Sequence, residues 1–203
     1  MPVAAYHHEN LRETLLELAE RSVARSGVEA LSLRQLARDA GVSHAAPARH
    51  FRDKQALLDA LALHGFERLN RAITDAAATS GPFDTRFRAI ATAYVSFAVD
   101  NAALLGLMYS VKHEADASEA LIEAGRGSMR AVVTLFAEAQ AAGAVQPDPP
   151  ERLALVVFAS VHGVAALATG DLLDGVSVEE ATTATVDVLL QAISTGAEVR
   201  TST

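Results

Sequence analysis

The sequence predicts an all-α protein in which an N-terminal three-helix domain with a helix-turn-helix precedes a larger helical domain. Apolar residues recur at helical spacing along the 203 residues, and no segment alternates as a strand would. Two helical segments between Ser32 and Phe51 are separated by a turn at Gly41. Half of the residues are apolar, so a chain of this length can bury a sizeable core.

The helix-turn-helix is indicated by residues that can begin and end its two helices. Ser32 can cap the first helix, with Gln35 completing a capping box, and Gly41 can end it in the left-handed conformation. Ser43 can cap a second, reading helix over His44–Phe51, whose last residue is an apolar anchor. A pair of helices joined in this way can place the second one in a DNA major groove.

The other helices follow from apolar spacing and from capping residues. Asp53 can cap a long connecting helix, Pro150 can be the first residue of another, and Ser177 can cap the last one. We place the domain boundary between residues 54 and 55, so that 1–54 form the helix-turn-helix domain and 55–203 the helical body. The predicted helices span residues 9–26, 32–40, 44–51, 53–79, 84–100, 101–110, 116–142, 150–173 and 177 to about 195.

The charge is distributed unevenly along the chain. The net charge is −8, but residues 1–54 hold 8 Lys and Arg against 7 Asp and Glu, whereas the remainder holds 9 against 18. The reading segment 43–54 carries Arg49, Arg52 and Lys54 against Asp53. A locally basic end on an acidic body is compatible with binding to phosphates, although a solvated charged surface has the same composition.

Several classes of protein are disfavoured by the sequence. The absence of cysteine excludes disulfides and thiolate metal sites and suits a reducing cytoplasm, and the first eight residues do not form a signal peptide. We expect no cofactor and no metal, because Glu-x-x-His pairs, a P-loop and a nucleophile elbow are all missing. The uncharged stretch 153–170 is at the short limit for a membrane span, and we interpret it as a helix buried in the bundle or at a dimer interface.

These residues together resemble the TetR/AcrR family of transcriptional regulators. The resemblance in the first third of the chain is carried by Tyr6–Leu11, Ala30–Arg34, Ala40–Pro47, Arg49–Phe51 and Asp53–Leu58. Farther along, Asn101–Leu104, Leu107–Met108 and Val161–Gly163 are similar to the branch with a Trp-His-Gly-type motif, although this chain has no tryptophan.

The resemblance implies a homodimeric regulator, most often a repressor, rather than an enzyme. Two reading helices would enter successive major grooves of a palindromic operator in double-stranded DNA. The helical body would dimerise through its last two long helices and bind a small-molecule effector that releases the DNA. The family usually has an aromatic residue, mostly tyrosine, where this chain has Ala48. A helical adaptor that has lost DNA binding is therefore the alternative.

Candidate DNA-binding residues lie in and around the reading segment. Side chains of its first turn can meet base edges or phosphates, and small alanines can contact a thymine methyl group. Lys54 lies at the start of the connecting helix, where the N–H groups of the helix terminus add further donors for a phosphate. For Arg34, a surface salt bridge is as good an interpretation as a DNA contact. For His44, exposure to solvent without a DNA contact is equally compatible with the sequence. The predicted set is Arg34, Ser43, His44, Ala45, Arg49, His50 and Lys54.

Candidate effector-binding residues are the large apolar residues and two histidines of the body. For each of them core packing is the stronger single-residue interpretation. A buried imidazole such as His162 requires a partner, which a structural hydrogen bond would supply. Aromatic residues make up 5% of the chain, which favours an apolar or mixed effector over a large stacked one. The predicted set is Phe87, Ile90, Tyr94, Met108, His113, Phe136, Phe158 and His162.

Overall fold

The computed structural model describes residues 11–114 and 117–194, and within these ranges the chain is helical without a strand. The all-α class predicted from the sequence is confirmed. Two residues at which helices are predicted to start, Glu9 and Asp116, lie outside the described residues. The segment Tyr6–Asn10 also lies outside them. The helices are α1 (Leu11–Ser26), α2 (Leu33–Asp39), a 3-10 helix (Pro47–Arg49), α3 (Lys54–Ala77), α4 (Phe83–Asp100), α5 (Ala102–Lys112), α6 (Glu119–Ala141), α7 (Pro150–Thr169) and α8 (Val178–Ile193).

The chain forms two compact units, to which α3 and α6 both contribute. Unit 1 comprises the described residues up to Glu67 together with Asn101–Gly125. Unit 2 comprises Arg68–Asp100 and the described residues from Arg126 onward. The domain boundary that we place between residues 54 and 55 from the sequence stays a prediction.

Unit 1 has a core of leucine side chains from α1, α2 and α3. Leu15, Leu36 and Leu61 are each at most 1% exposed, and removing side chains of this size from water drives the packing of such short helices. In the same unit α5 lies close to α3. A Cβ atom at Gly65 would lie 2.6 Å from the Met108 sulfur, so glycine is required for this approach.

The N-terminal cap of α2 differs from the prediction. Ser32 has the extended backbone of a cap residue, but its side chain makes no capping hydrogen bond. The Gln35 amide instead donates to the Asp39 carboxylate at 2.6 Å, one turn farther along the helix. The predicted capping box is therefore wrong, because the Gln35 oxygen, which would accept from the Ser32 N–H in such a box, accepts from the Arg38 guanidinium on the same exposed face.

The C-terminal end of α2 agrees with the prediction. Gly41 has a φ of +68°, in the left-handed region that glycine adopts without a steric penalty. The N–H of Val42 donates to the Ala37 carbonyl at 3.0 Å and closes the turn. The predicted caps of the later helices are also confirmed, because Asp53 accepts from the Ala56 N–H and Ser177 accepts from the Glu180 N–H.

The predicted reading helix over 44–51 is shorter than expected. Most backbone hydrogen bonds of the segment join residues three apart, and only Pro47–Arg49 form a 3-10 helix. Proline has no N–H, so the α-helical bond from residue 47 back to residue 43 cannot form. Ser43 therefore does not cap this helix, and Ala46 occupies the position before it.

In unit 2, α4 packs against α7 and α8, and α7 packs against α8. A salt bridge of 2.6 Å between Arg88 and Asp187 joins α4 to α8 at the surface. The predicted extension of α7 to Leu173 is wrong, because the helix is capped at Gly170 and Asp171 turns into the left-handed region with a φ of 56°.

Candidate nucleic-acid interface and helical body

The reading segment is exposed and is held in place by two buried anchors. The candidate side chains Ser43, His44, Ala45, Arg49 and His50 are all exposed, as is Arg34 on α2. Pro47 and Phe51 are buried within unit 1. The backbone N–H of Phe51 donates to the Pro47 carbonyl at 2.9 Å, which ties the two anchors together.

The Phe51 anchor is closely packed. Its side chain is 2% exposed, and the Arg12 guanidinium of α1 lies 5.6 Å from the centre of its ring. A cation over an aromatic face is attracted to the ring electrons. The 3-10 turn therefore rests on a side chain that is covered by α1.

Two cations at the start of α3 already have partners in unit 1. Arg52 forms a 3.0 Å ion pair with the neighbouring Asp53. The Lys54 ammonium is half-buried and donates to the Glu29 carbonyl at 3.2 Å. Lys54 thus fixes the loop before α2, and an ammonium group has further donors for a phosphate.

The predicted effector residues occur as separate clusters. In unit 2 the Tyr94 hydroxyl and His162 Nδ1 are 2.8 Å apart, and the Phe158 ring stacks on His162 at 5.4 Å. The structural hydrogen bond expected for His162 is therefore present within the bundle. Since the tautomer decides which atom donates, this pair can offer either a donor or an acceptor.

A second cluster in unit 2 consists of phenylalanine rings. Phe87 lies 5.6 Å from Phe83 and 5.9 Å from Phe136, and all three side chains are buried. Ile90 is buried one turn farther along α4. The two remaining candidates belong to unit 1, where Met108 is fully buried and His113 is exposed after the end of α5.

An open cleft in unit 2 was not among the sequence predictions. Arg86 of α4 and Arg130 of α6 line it, together with threonines of α3 and α6. These residues are distant in the chain and lie on three helices. No spacing within a single helix could have indicated that they converge.

The exposed large apolar side chains of the described residues are concentrated in the last third of the chain. All of them belong to α7, to the loop that follows it, or to α8, and they are Leu155, Val156, Leu167, Leu172, Val176 and Val188. Within the described ranges α7 is the single helix that is long and apolar enough to cross a membrane by itself, with a mean hydropathy of 1.7. Only 28% of that stretch is buried, which is low for the core helix of a soluble protein.

The chain has an exposed reading segment held by buried anchors in a helix-turn-helix, and a helical body follows it. This arrangement is typical of one class of DNA-binding regulators. Residues 15–61 match the family described as bacterial regulatory proteins, tetR family. Residues 87–193, more than half of the chain, match the family described as tetracyclin repressor-like, C-terminal domain. The chain belongs to the TetR family of transcriptional regulators, which are typically DNA-binding repressors and not enzymes.

Solved structures have the same fold. A protein of unknown function from Rhodococcus sp. RHA1 is 50% identical with a TM-score of 0.88, over 94% of this chain and 99% of that one. The TetR-family transcriptional regulator PfmR from Thermus thermophilus is 20% identical with a TM-score of 0.71, over 87% and 97% of the two chains. No curated protein matches the chain.

The ketosteroid transcriptional regulator KstR2 of Mycobacterium tuberculosis has the same fold. Its TM-score is 0.68 at 16% identity, over 91% of this chain and 95% of that one. At this identity the similarity extends to the fold alone.

Proposed function

We propose that the protein is a ligand-responsive repressor that binds a palindromic operator as a homodimer in the cytoplasm and is released by a small molecule. The observation that carries this proposal is the exposed segment 43–50, held by the buried anchors Pro47 and Phe51. An exposed, rigidly anchored turn can enter a major groove without first reorganising. Dimeric regulators of this kind place two such segments about 34–36 Å apart, one helical turn of DNA.

The proposed DNA contacts differ in what they do. Ser43, His44 and Ala45 lie before the 3-10 helix and are assigned to base edges and the neighbouring backbone. Arg34, Arg49, His50 and Lys54 are assigned to phosphates, which fix the orientation of the protein on the duplex without reading its sequence.

The proposed effector site lies in unit 2, around the cluster of Tyr94, Phe158 and His162. Polar atoms that converge in an otherwise apolar bundle orient a ligand, and the surrounding apolar side chains bury it. Phe87, Ile90 and Phe136 complete this proposed lining. Met108 and His113 belong to unit 1, and for them we retain the packing interpretation.

A gel-shift titration at a stated salt concentration tests the central proposal. The probe is DNA from upstream of the protein's own gene, and the control is unrelated DNA of equal length. We expect the upstream DNA to be bound at least about a thousandfold more tightly than the control. Equal affinity for both, or no shift, would contradict specific operator binding and favour the helical adaptor.

Replacing Lys54 by alanine separates its phosphate role from its loop contact. We expect the affinity for operator and unrelated DNA to fall by the same factor, and the dependence of binding on salt to flatten by about one unit per subunit. Lys54→Arg keeps the charge and is the control. An unchanged salt dependence in Lys54→Ala would show that the lysine serves only the Glu29 carbonyl.

Replacing Ala48 by tyrosine tests the departure from the family pattern. Ala48 is exposed in the 3-10 helix, so a larger side chain can be accommodated there. We expect Ala48→Tyr to bind the operator about tenfold more tightly, since a hydrogen bond to a charged group contributes about 1.5–3 kcal/mol. Ala48→Phe, which lacks the hydroxyl, should gain less. No gain in either variant would show that this position faces away from the DNA backbone.

A further inference from the structure

The loop between α7 and α8 contains the one place in the sequence where an aspartate or asparagine precedes a glycine, Asp174–Gly175. Both residues have a positive φ, 49° for Asp174 and 90° for Gly175. The Val176 N–H donates to the Leu173 carbonyl at 2.9 Å and closes the turn around them. Two positive φ angles inside such a turn are the pattern of type I′, which favours Asp-Gly.

The main-chain nitrogen of Gly175 is accessible to the Asp174 side chain that precedes it. Asp174 and Gly175 are both exposed, and a Cβ atom at Gly175 would meet nothing within 4 Å. In the described part of the chain no hydrogen bond engages the Gly175 N–H. Because glycine has no side chain, little steric resistance opposes the approach of this nitrogen to Cγ of Asp174.

A second aspartate of the same loop provides an internal comparison. Asp171 is also exposed and also left-handed, with a φ of 56°. The residue after it is Leu172, whose N–H donates to the Leu167 carbonyl at 2.8 Å. That hydrogen bond would have to break before the nitrogen could react, and the leucine side chain crowds it. Of the two left-handed aspartates, Asp174 alone is therefore followed by an available nitrogen.

We propose that Asp174 isomerises spontaneously to isoaspartate, which makes this turn a substrate for enzymes that methylate isoaspartyl carboxylates. The Gly175 nitrogen attacks Cγ of Asp174 and loses its proton, and the carboxyl hydroxyl leaves as water, which closes a succinimide ring. Water then opens the ring at the former main-chain carbonyl carbon. The chain continues through the side chain of residue 174, and its α-carboxylate becomes free. One water is lost and one is regained, so the mass is unchanged.

The product alters the turn before α8. Isoaspartate adds a methylene group to the main chain between Leu173 and Val176, so the hydrogen bond that closes the turn loses its geometry. The next residue, Ser177, caps α8 by accepting from the Glu180 N–H at 3.1 Å. We expect the Val176 amide to exchange faster with solvent in the modified chain, while amides in the middle of α8 keep their protection. The proposal depends neither on DNA binding nor on an effector.

Ageing of the full chain at neutral pH and physiological temperature tests the proposal. Endoproteinase Asp-N cuts before aspartate but not before isoaspartate. The fresh chain should be cut before Asp171 and before Asp174. The aged chain should also yield an uncut peptide 171–186 of unchanged mass. That peptide should accept a methyl group from S-adenosylmethionine in the presence of an isoaspartyl methyltransferase, at residue 174 and not at Asp171.

Two substitutions at position 174 separate this chemistry from general damage. Asp174→Glu keeps the charge but would have to close a larger, less favoured ring, so methylation in this loop should be lost. Asp174→Asn forms the same succinimide with ammonia as the leaving group, so the aged variant should gain both a negative charge on ion exchange and the methyl acceptor. Circular dichroism should show the same helix content in both variants as in the unsubstituted chain.

The contrary results are equally specific. If the aged unsubstituted chain accepts no methyl group at residue 174, the proposal is wrong, whatever the variants do. Equal modification of Asp171 would show that neither the glycine nor the available nitrogen directs the reaction. Undiminished methylation of the loop in Asp174→Glu would place the isoaspartate at another residue.

Discussion

Acidic substitutions on the exposed apolar face of α7 and α8 are expected to convert the proposed dimer into a monomer that no longer holds the proposed operator. In the double variant Leu155→Glu/Val188→Glu the mass measured by light scattering should be near 21.3 kDa rather than twice that value. The two side chains are 60% and 65% exposed within one chain, so their replacement leaves the core of the subunit intact.

The physical reason is the burial of like charges in a two-fold interface. In a symmetric dimer each substitution appears twice, and four new carboxylates would have to lose their hydration without partners. The neighbouring stretch of α7 leaves room for a second subunit, because a Cβ atom at Gly163 would meet no other atom within 4 Å in the single chain. Two helices from each subunit can then form a four-helix contact.

The expected loss of operator affinity is about a hundredfold or more, because the second half-site is then no longer bound intramolecularly. Circular dichroism should show an unchanged helix content. Ala137→Glu adds one carboxylate at an exposed position of α6 and should remain dimeric. A dimeric double variant would show that this face is not the interface. A monomeric wild type that sediments with lipid vesicles would assign the face to a membrane instead.

The sequence was sufficient for the order of helices because each helix carries its own local signals. Gly41 needs a left-handed backbone, and Asp53 and Ser177 supply hydrogen-bond acceptors to N–H groups three residues away. These requirements are satisfied within one turn of the chain, so they can be recognised without knowledge of the tertiary structure.

Where the predictions failed, two local signals competed. The Gln35 oxygen could accept either from the backbone N–H at the start of α2 or from Arg38, and the charged donor prevailed. The spacing of residues 44–51 indicated an α-helix, but Pro47 removes a backbone donor and leaves a 3-10 turn. In both cases the sequence contained the competing residue.

The cleft in unit 2 could not be predicted for a different reason. Arg86 and Arg130 are separated by 44 positions, and neither is marked by its neighbours as anything but a surface charge. Their convergence depends on how α6 packs against α3 and α4, and at Gly127 a Cβ atom would overlap the Asn70 side chain of α3. Sites of this kind arise from packing between helices, and helical periodicity carries no information about them.

Removing the Phe51 side chain is expected to disorder the reading segment and to abolish operator binding. Phe51→Ala should lower the stability of unit 1 by about 3–5 kcal/mol, the usual cost of truncating a buried aromatic side chain. The loss of stability is large because the Phe51 ring packs beneath the 3-10 helix and is covered by the Arg12 guanidinium. Without it, the hydrogen bond from residue 51 to the Pro47 carbonyl no longer has a fixed geometry.

Hydrogen exchange read out by mass spectrometry distinguishes this effect from the loss of a DNA contact. In Phe51→Ala, amides of residues 46–57 should exchange faster, whereas those of α4 and α8 in unit 2 should be unchanged. His50→Ala is the control, because that side chain is exposed next to Phe51. It should weaken operator binding while changing stability by no more than about 0.5 kcal/mol. If Phe51→Ala retained full protection and affinity, the turn would be held by its backbone alone, and the buried anchor would have no part in positioning the DNA-binding residues.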